Sequence, residues 1–526
     1  MKQPAIRSLT AELDAAKTRL VAEQAKIQFP TSRSLLMPSW SREQQGVIPL
    51  TRREALAAAG TVLLAGSIAG IPGASALTAM LSAEVIVYPA PNTPGFPGDF
   101  STVAHLKQSA DYTVKVNGQA CFVYETENYW KHKQARDEQT AAFTSFAFRG
   151  GPVSVTVESA FPATAAVIRP KSAGIAFTQK GNILAFTMDS PRKLCVEING
   201  RSRPLFIIGE APDEPDTSAT HYFGPGVHKI GRKKEIRAGE RVYIAAGAVV
   251  EGTFQCAADN IKVRGRGILS SGFVPWEDWL KDGSNSMFSY RPKGQGTANH
   301  HEYEGLFLLN TPGWYGYGDV NQSTIRNIKM IAWCGNSDGF HLGGKSVMED
   351  CFIFNNDDAL IGHNGTDNTW RDCVVWKGCW GHCIASFKNN WVKTDVVKGF
   401  VWENIDILGG TSPMTPVIHF YGNFPKNNPG GGTMTDCAIR NLRIEAPRVN
   451  PLIKLRAIKY SIRNLLIENV IAESALGGEG EITSSGDGCV DGIQFRNLKI
   501  GGRRITDLET SKIRTSGSVS RLSFAP

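Results

Sequence analysis

At 526 residues the chain is too long for one ordinary small domain, and its 42% hydrophobic and 20% charged content excludes a disordered or fibrous class. The formal charge of +8 falls to +4 when residues 1–76 are set aside, because they carry nine Lys/Arg against five Asp/Glu (8 − 4 = 4). The remaining basic residues are dispersed; only GRKKEIR (Gly231–Arg237) clusters, it reads as a solvated turn, and no nucleic-acid module is recognisable.

The first predicted element is TRREALAAAGTVLLAGSIAGIPGASA, Thr51–Ala76. The Arg52-Arg53 pair leads into a moderately apolar, Gly/Ala-rich run with a small-residue ending, the design of a twin-arginine signal peptide. Residues 1–76 are therefore expected to be a leader and the mature chain to be exported, to the periplasm or beyond. No other segment approaches a membrane span, so stable membrane insertion is not expected. Export would allow some of the ten cysteines to pair. Cys351 and Cys373, in the similar phrases EDCFI and RDCVV, read instead as stacked interior positions. Cys379 and Cys383 flank WGH, yet four ligands at zinc-site spacing never assemble, so neither a metal nor a cofactor is expected.

Residues 85–215 read as short alternating strands separated by turns: DYTVKVNG (Asp111–Gly118), ACFVYETENYW (Ala120–Trp130), VSVTVESA (Val153–Ala160), NILAFTM (Asn182–Met188) and LCVEING (Leu194–Gly200). Helical periodicity is absent, and a β-sandwich is predicted. The acidic, proline-bearing APDEPDTSA (Ala211–Ala219) reads as a linker.

From about residue 220 to 520 the pattern changes. A small polar residue followed by a four- or five-residue apolar strand returns as DNIKVRG, RNIKMI, EDCFIF, RDCVVW, ENIDIL, DCAI, RNLLIENV and RNLKI. Taking Asn327, Asp350, Asp372, Asn404, Asp436, Asn464 and Asn497 as one repeating position gives intervals of 23, 22, 32, 32, 28 and 33. A minimum of 22 residues with variable insertions and no intervening helices predicts a solenoid of short strands, best fitted by a right-handed parallel β-helix. Most of the asparagines then bond backbone groups at coil corners. His221–Gly231 and Glu240–Gly252 would form the first coils.

The coil length gives meaning to WCGNSDGFHLGGKSVMEDCFIFNNDDALIGHNG, Trp333–Gly365. Asp338 lies nineteen and twenty residues before Asp357 and Asp358, about one coil. Parallel strands stack roughly 4.7–4.9 Å apart, so the three carboxyls are expected together on one face. Any one of these aspartates alone reads as a turn or cap residue. Three held together repel unless they share a proton or hold a cation. Two chemistries fit: inverting glycoside hydrolysis, with one acid protonating the leaving oxygen and another carboxylate activating water, or a polysaccharide lyase that binds Ca²⁺. A non-catalytic carbohydrate-binding solenoid fits the fold but leaves the stacked acids unexplained.

These motifs, from YFGPGVHKIG (Tyr222–Gly231) through NNDDALIGHNG (Asn355–Gly365), resemble glycoside hydrolase family 49, the dextranase and isopullulanase family within the pectin-lyase-like superfamily. The resemblance implies an all-β chain with an N-terminal β-sandwich followed by a right-handed parallel β-helix, and hydrolysis of α-glucans with inversion. It implies Asp357 as general acid, with Asp338 and Asp358 positioning and activating water. The likeness to polygalacturonases is only partial, since GHC (Gly381–Cys383) stands in place of their GHG and no clear RIK motif is present. A neutral polysaccharide or oligosaccharide is therefore the expected partner; oligomeric state is left open. Trp314, Tyr315, Tyr317, Trp380 and Tyr421 are candidate stacking surfaces for a pyranose, although any one of them alone reads as a packing residue. His341, His363, His382, Lys388, His419 and Lys454 are candidate hydroxyl contacts, His382 and then Lys388 being preferred.

Overall fold

The computed structural model describes residues 83–127, 140–275, 286–290, 298–311, 313–362, 364–378, 380–389, 396–409, 415–423, 430–446 and 451–526. The expected leader and signal, residues 1–76, lie outside the described residues. Among those described, no helix is long and apolar enough to cross a membrane.

The architecture is all-β. Residues Glu84–Glu210 form a seven-stranded and a five-stranded sheet, antiparallel except where Leu205–Glu210 runs parallel to Ala141–Arg149. Alternation places the core: Val153, Val155 and Val157 are buried, and the residues between them face outward or are half-buried. ACFVYETENYW is not one strand. Gln119–Cys121 joins the five-stranded sheet and Tyr124–Thr126 the seven-stranded one, so the chain changes sheets at Phe122-Val123. The proposed linker is also not free, since Asp213 accepts from Tyr243 and Arg264, and Asp216 from Arg241.

From His221 onward the strands pair in parallel, with one antiparallel hairpin near the end, Leu498–Ile500 against Arg503–Ile505. This is a right-handed parallel β-helix. Apolar residues stack along its axis, as in the fully buried, parallel rings of Trp370 and Trp402, 4.8 Å apart. Cys351, Cys373 and Cys437 are buried in the same core, and the nine described cysteines are all unpaired.

The Asn/Asp positions belong to two corners rather than one. Strand register aligns Asn404 with Asn441, Asn469 and Asn497, and aligns Asp436 with Asn464 and Gly492. The first column continues back through Asp372, Asp350 and Asn327. Every one of these residues has positive φ, the conformation that Asn, Asp and Gly tolerate best. Side-chain amides bridge successive coils at both corners, Asn497 to Asn469 to Asn441 and Asn464 to Asp436. The single series predicted from sequence thus merged two columns, and the true intervals after Asn404 are 37, 28 and 28.

The sandwich packs against one face of the coils. Phe143 stacks on Phe307 at 4.9 Å, and Phe206 lies 4.6 Å from Phe352 and 5.1 Å from Phe354. Buried charges close the same junction: Lys329, wholly inaccessible, sits 2.6 Å from Glu210, which also accepts from Asn327. A second face lies away from the sandwich sheets. It consists of six short strands, Leu360–Ile361, Ile384–Asn389, Ile418–Asn423, Ile453–Ile458, Gly480–Ser485 and Ile513–Ser516, each parallel to the next.

Candidate active site

The three aspartates stand at the corner between the face covered by the sandwich and the six-stranded one. Asp338 precedes the strand Phe340–Leu342, and Asp357 and Asp358 follow Phe352–Asn355. Backbone bonds fix their stacking: Tyr315 N–H donates to the Asp338 carbonyl, Gly339 N–H to the Asp358 carbonyl, and Ala359 N–H to the His382 carbonyl. Trp314, Asp338, Asp358 and His382 therefore form one column over four coils. Two glycines make this close stacking possible. A Cβ on Gly339 would lie 2.1 Å from the Ala359 carbonyl oxygen, and one on Gly381, at φ +64, would lie 2.5 Å from Asp357.

A carboxylate oxygen from each of Asp338, Asp357 and Asp358 lies within 4.8 Å of the other two, and the residues are only 6%, 8% and 6% exposed. Their surroundings differ. Asp357 accepts two backbone bonds, from Asn336 and Asp358, each 2.9 Å. Asp358 accepts from the His382 N–H at 2.7 Å. One oxygen of Asp338 has no hydrogen-bond partner among the described residues. Burial raises all three above the usual carboxylate range, and like charge adds to it: Asp357 and Asp358 push Asp338 up, and Asp358 pushes Asp357 up. The cluster thus holds a proton where isolated aspartates would have lost theirs.

Sequence reasoning missed a fourth member, Lys377. It ends the strand Val374–Lys377, is 3% exposed, and donates to the Trp380 carbonyl. Its charge pulls all three carboxyls down, against their burial. Asn355 and Asn356 were also passed over. Their amides donate to the Ser337 and Trp333 carbonyls, tying the two acid-bearing turns together. In VVWK and NNDD these residues look like a strand end and a turn, and nothing local marks them otherwise.

The candidate sugar contacts divide. On one side of the acids, Trp314 lies 4.5 Å from Tyr317 and 4.4 Å from His341, ring centre to ring centre. On the other, His382 touches His419, which stacks on Tyr421 at 4.4 Å. Lys454 follows one coil later in register with His419 and is 3.6 Å from Glu481. Trp380, 46% exposed, projects beside Asn356, to whose side chain its N–H donates. Tyr315 does not belong with them, because it is wholly buried in the solenoid core. Two successive residues, Tyr315 and Gly316, turn inward here, which simple alternation does not anticipate. His363 and Cys379 lie outside the described residues, as does the side chain of Lys388. Cys383 is buried in the core.

No family model and no curated protein matches the sequence. Among solved structures, Dex49A from Penicillium minioluteum aligns with a TM-score of 0.64 at 17% identity, over 84% of this chain and 96% of that one. The chain has the fold of Dex49A. At that identity the likeness to Dex49A is one of fold alone. An endo-xylogalacturonan hydrolase from Aspergillus tubingensis (TM-score 0.35, 11% identity, 57% of this chain, 91% of that chain) carries no weight beside Dex49A. Nor does a family 28 exopolygalacturonase from Yersinia enterocolitica (TM-score 0.29, 10% identity, 81% and 98%).

Proposed function

We propose that this chain is an exported glycoside hydrolase that cleaves α-glycosidic bonds of a neutral polysaccharide or oligosaccharide, dextran-like α-glucan being favoured, with inversion. The observation that carries the reading is the buried trio of carboxyls within 4.8 Å, with Lys377 beside it. A glycosidic oxygen leaves only when protonated, and water attacks only when a base takes its proton. Three coupled carboxyls holding a shared proton supply both. Asp357 gives its proton to the leaving oxygen as the C–O bond breaks. Asp338 and Asp358 hold a water whose oxygen forms the new bond from the opposite face, and one of them takes its proton. The same pair of turns keeps bulk water out.

Inversion rests on the resemblance to family 49, not on spacing. Ordinary inverting pairs stand roughly 6.5–9.5 Å apart and retaining pairs about 5–5.5 Å, whereas oxygens here approach within 4.8 Å. A neutral substrate is supported by the six-stranded face, where Lys454, Arg456 and Arg514 all converge on Glu481. Burial acts to raise that carboxyl, but bonds from Arg514 and Arg456 hold it down at about 2, so it stays ionised and offsets them. Residues 85–215 and 220–520 are the proposed sandwich and catalytic domains, and residues 1–76 the proposed leader.

The test is reducing-end release from a panel of neutral polysaccharides, with NMR of the fresh product. Release of the anomer opposite to the substrate linkage is expected. The same anomer would refute direct displacement, and absence of any cleavage would refute the hydrolase.

A further inference from the structure

The His382–His419 pair fixes the hydrogen-bonding sense of a nitrogen on the six-stranded face. His382 Nδ1 lies 3.1 Å from the Pro416 carbonyl oxygen. A carbonyl oxygen only accepts, so this nitrogen carries the proton. In the neutral ring His382 Nε2 is then a lone pair. His419 Nδ1 lies 2.9 Å from it and must donate. The second nitrogen of neutral His419, Nε2, is left as a bare acceptor. It is buried and has no hydrogen-bond partner among the described residues.

Both rings are held neutral by their surroundings. Burial depresses His382 to about 4, with Lys377 and Lys454 adding to it. His419 is depressed further by burial, by His382, and by the Arg456 and Lys454 charges. Position makes the acceptor relevant. His419 lies in register with Ala385 on the preceding coil and Lys454 on the next, flanked by the Tyr421 ring. The backbone of its partner His382 holds Asp358. The carbonyl of Pro416 thus orients, through two rings, the lone pair of His419, and His382 links that pair to Asp358.

On the reading of this site as a glycan hydrolase, we propose that His419 is a specificity-determining residue whose Nε2 accepts a hydroxyl proton from the sugar unit next to the one being cleaved. That position takes a free hydroxyl and rejects an O-alkylated one. A site built around a buried acceptor discriminates strongly, because the analogue lacking the donor leaves the acceptor unpaired.

Two measurements test it. Long-range ¹H–¹⁵N NMR of the full chain at pH 7, with His382→Phe and His419→Gln for assignment, should show both rings protonated at Nδ1 and bare at Nε2. A proton on His419 Nε2 overturns the proposal. Binding of isomaltotetraose and of its O-methylated form is then measured in Asp357→Asn, which removes turnover. His419→Phe in that background should weaken isomaltotetraose at least tenfold and largely abolish the preference for it over the methylated form, and His419→Gln should restore most of both through its side-chain oxygen. Equal binding by His419→Phe overturns this proposal alone. Binding that depends on His419 in a wild-type protein without hydrolytic activity keeps His419 as a sugar contact but overturns the hydrolase reading and, with it, the place of that contact beside a cleaved unit. No binding of either sugar overturns both.

Discussion

Replacing Lys377 by methionine tests the electrostatics of the acid cluster most directly. Two unit charges 4.8 Å apart, the outer limit of the carboxylate spacing, repel by about 3.5 kcal/mol at an effective dielectric constant of about 20. That equals about 2.5 pH units in the loss of a proton. A third carboxylate faces two such neighbours, so one proton stays on the cluster at neutral pH. Lys377 is the cation that limits this effect, lowering all three acids. An opposite charge close by is worth about 1–3 pH units. Methionine keeps the length of the side chain without the charge. Its removal should therefore move both limbs of the kcat/KM–pH profile upward by about 1–3 units, because the base ionises later and the acid keeps its proton longer. ¹³C titration of labelled aspartate carboxyls gives the same shift without substrate. A folded Lys377→Met whose profile and titration stay in place, or move to lower pH, would refute the reasoning.

Three further outcomes are expected. Asp357→Asn should lower kcat by at least a hundredfold while leaving the circular dichroism spectrum unchanged; near-normal turnover would remove Asp357 from the role of acid. Activity should survive exhaustive chelation, whereas loss restored by Ca²⁺ together with an unsaturated product would mark a lyase. Glu210→Gln should destabilise the chain by about 3–5 kcal/mol in guanidinium unfolding, because it leaves a buried lysine unpaired. Lys329 and Glu210 are 0% and 1% exposed. The double variant Glu210→Gln/Lys329→Met should recover much of that loss.

The solenoid was legible because each coil repeats one physical requirement, a residue that tolerates a left-handed corner followed by an apolar strand. The same rule also limited the reading. Asn and Asp mark both corners alike, so Asp436 and Asn464 were taken into the wrong column. His300, Gln322, Lys345 and Asp367 hold left-handed positions too, and of these only Asp367 has a side chain that suggests it. The acids were found because their spacing matches a coil. Lys377 was missed because a lysine ending an apolar strand ordinarily reaches solvent, and only the stacking of neighbouring turns buries it. Tyr315 was misplaced for the converse reason: it sits between two candidate contacts, and nothing in the sequence announces that its ring turns inward.

The sandwich bears on the chemistry even though it supplies none of the candidate site residues. Phe206, from the sandwich strand Leu205–Glu210, touches Phe352, Phe354 and Trp376 at 4.6, 5.1 and 6.0 Å between ring centres. Those three residues lie on the strands that end in Asn355 and Lys377. The chain then turns directly into Asn356, Asp357 and Asp358. Trp333, which leads into Asp338, stacks on Phe354 at 4.6 Å. The turns bearing the acids and the buried lysine are therefore backed by one aromatic layer, and the sandwich closes its far side. Close-packed layers resist small displacements, and like charges this near one another push outward. Holding three carboxyls together requires a wall that does not yield, and the position of the sandwich behind the coils supplies it.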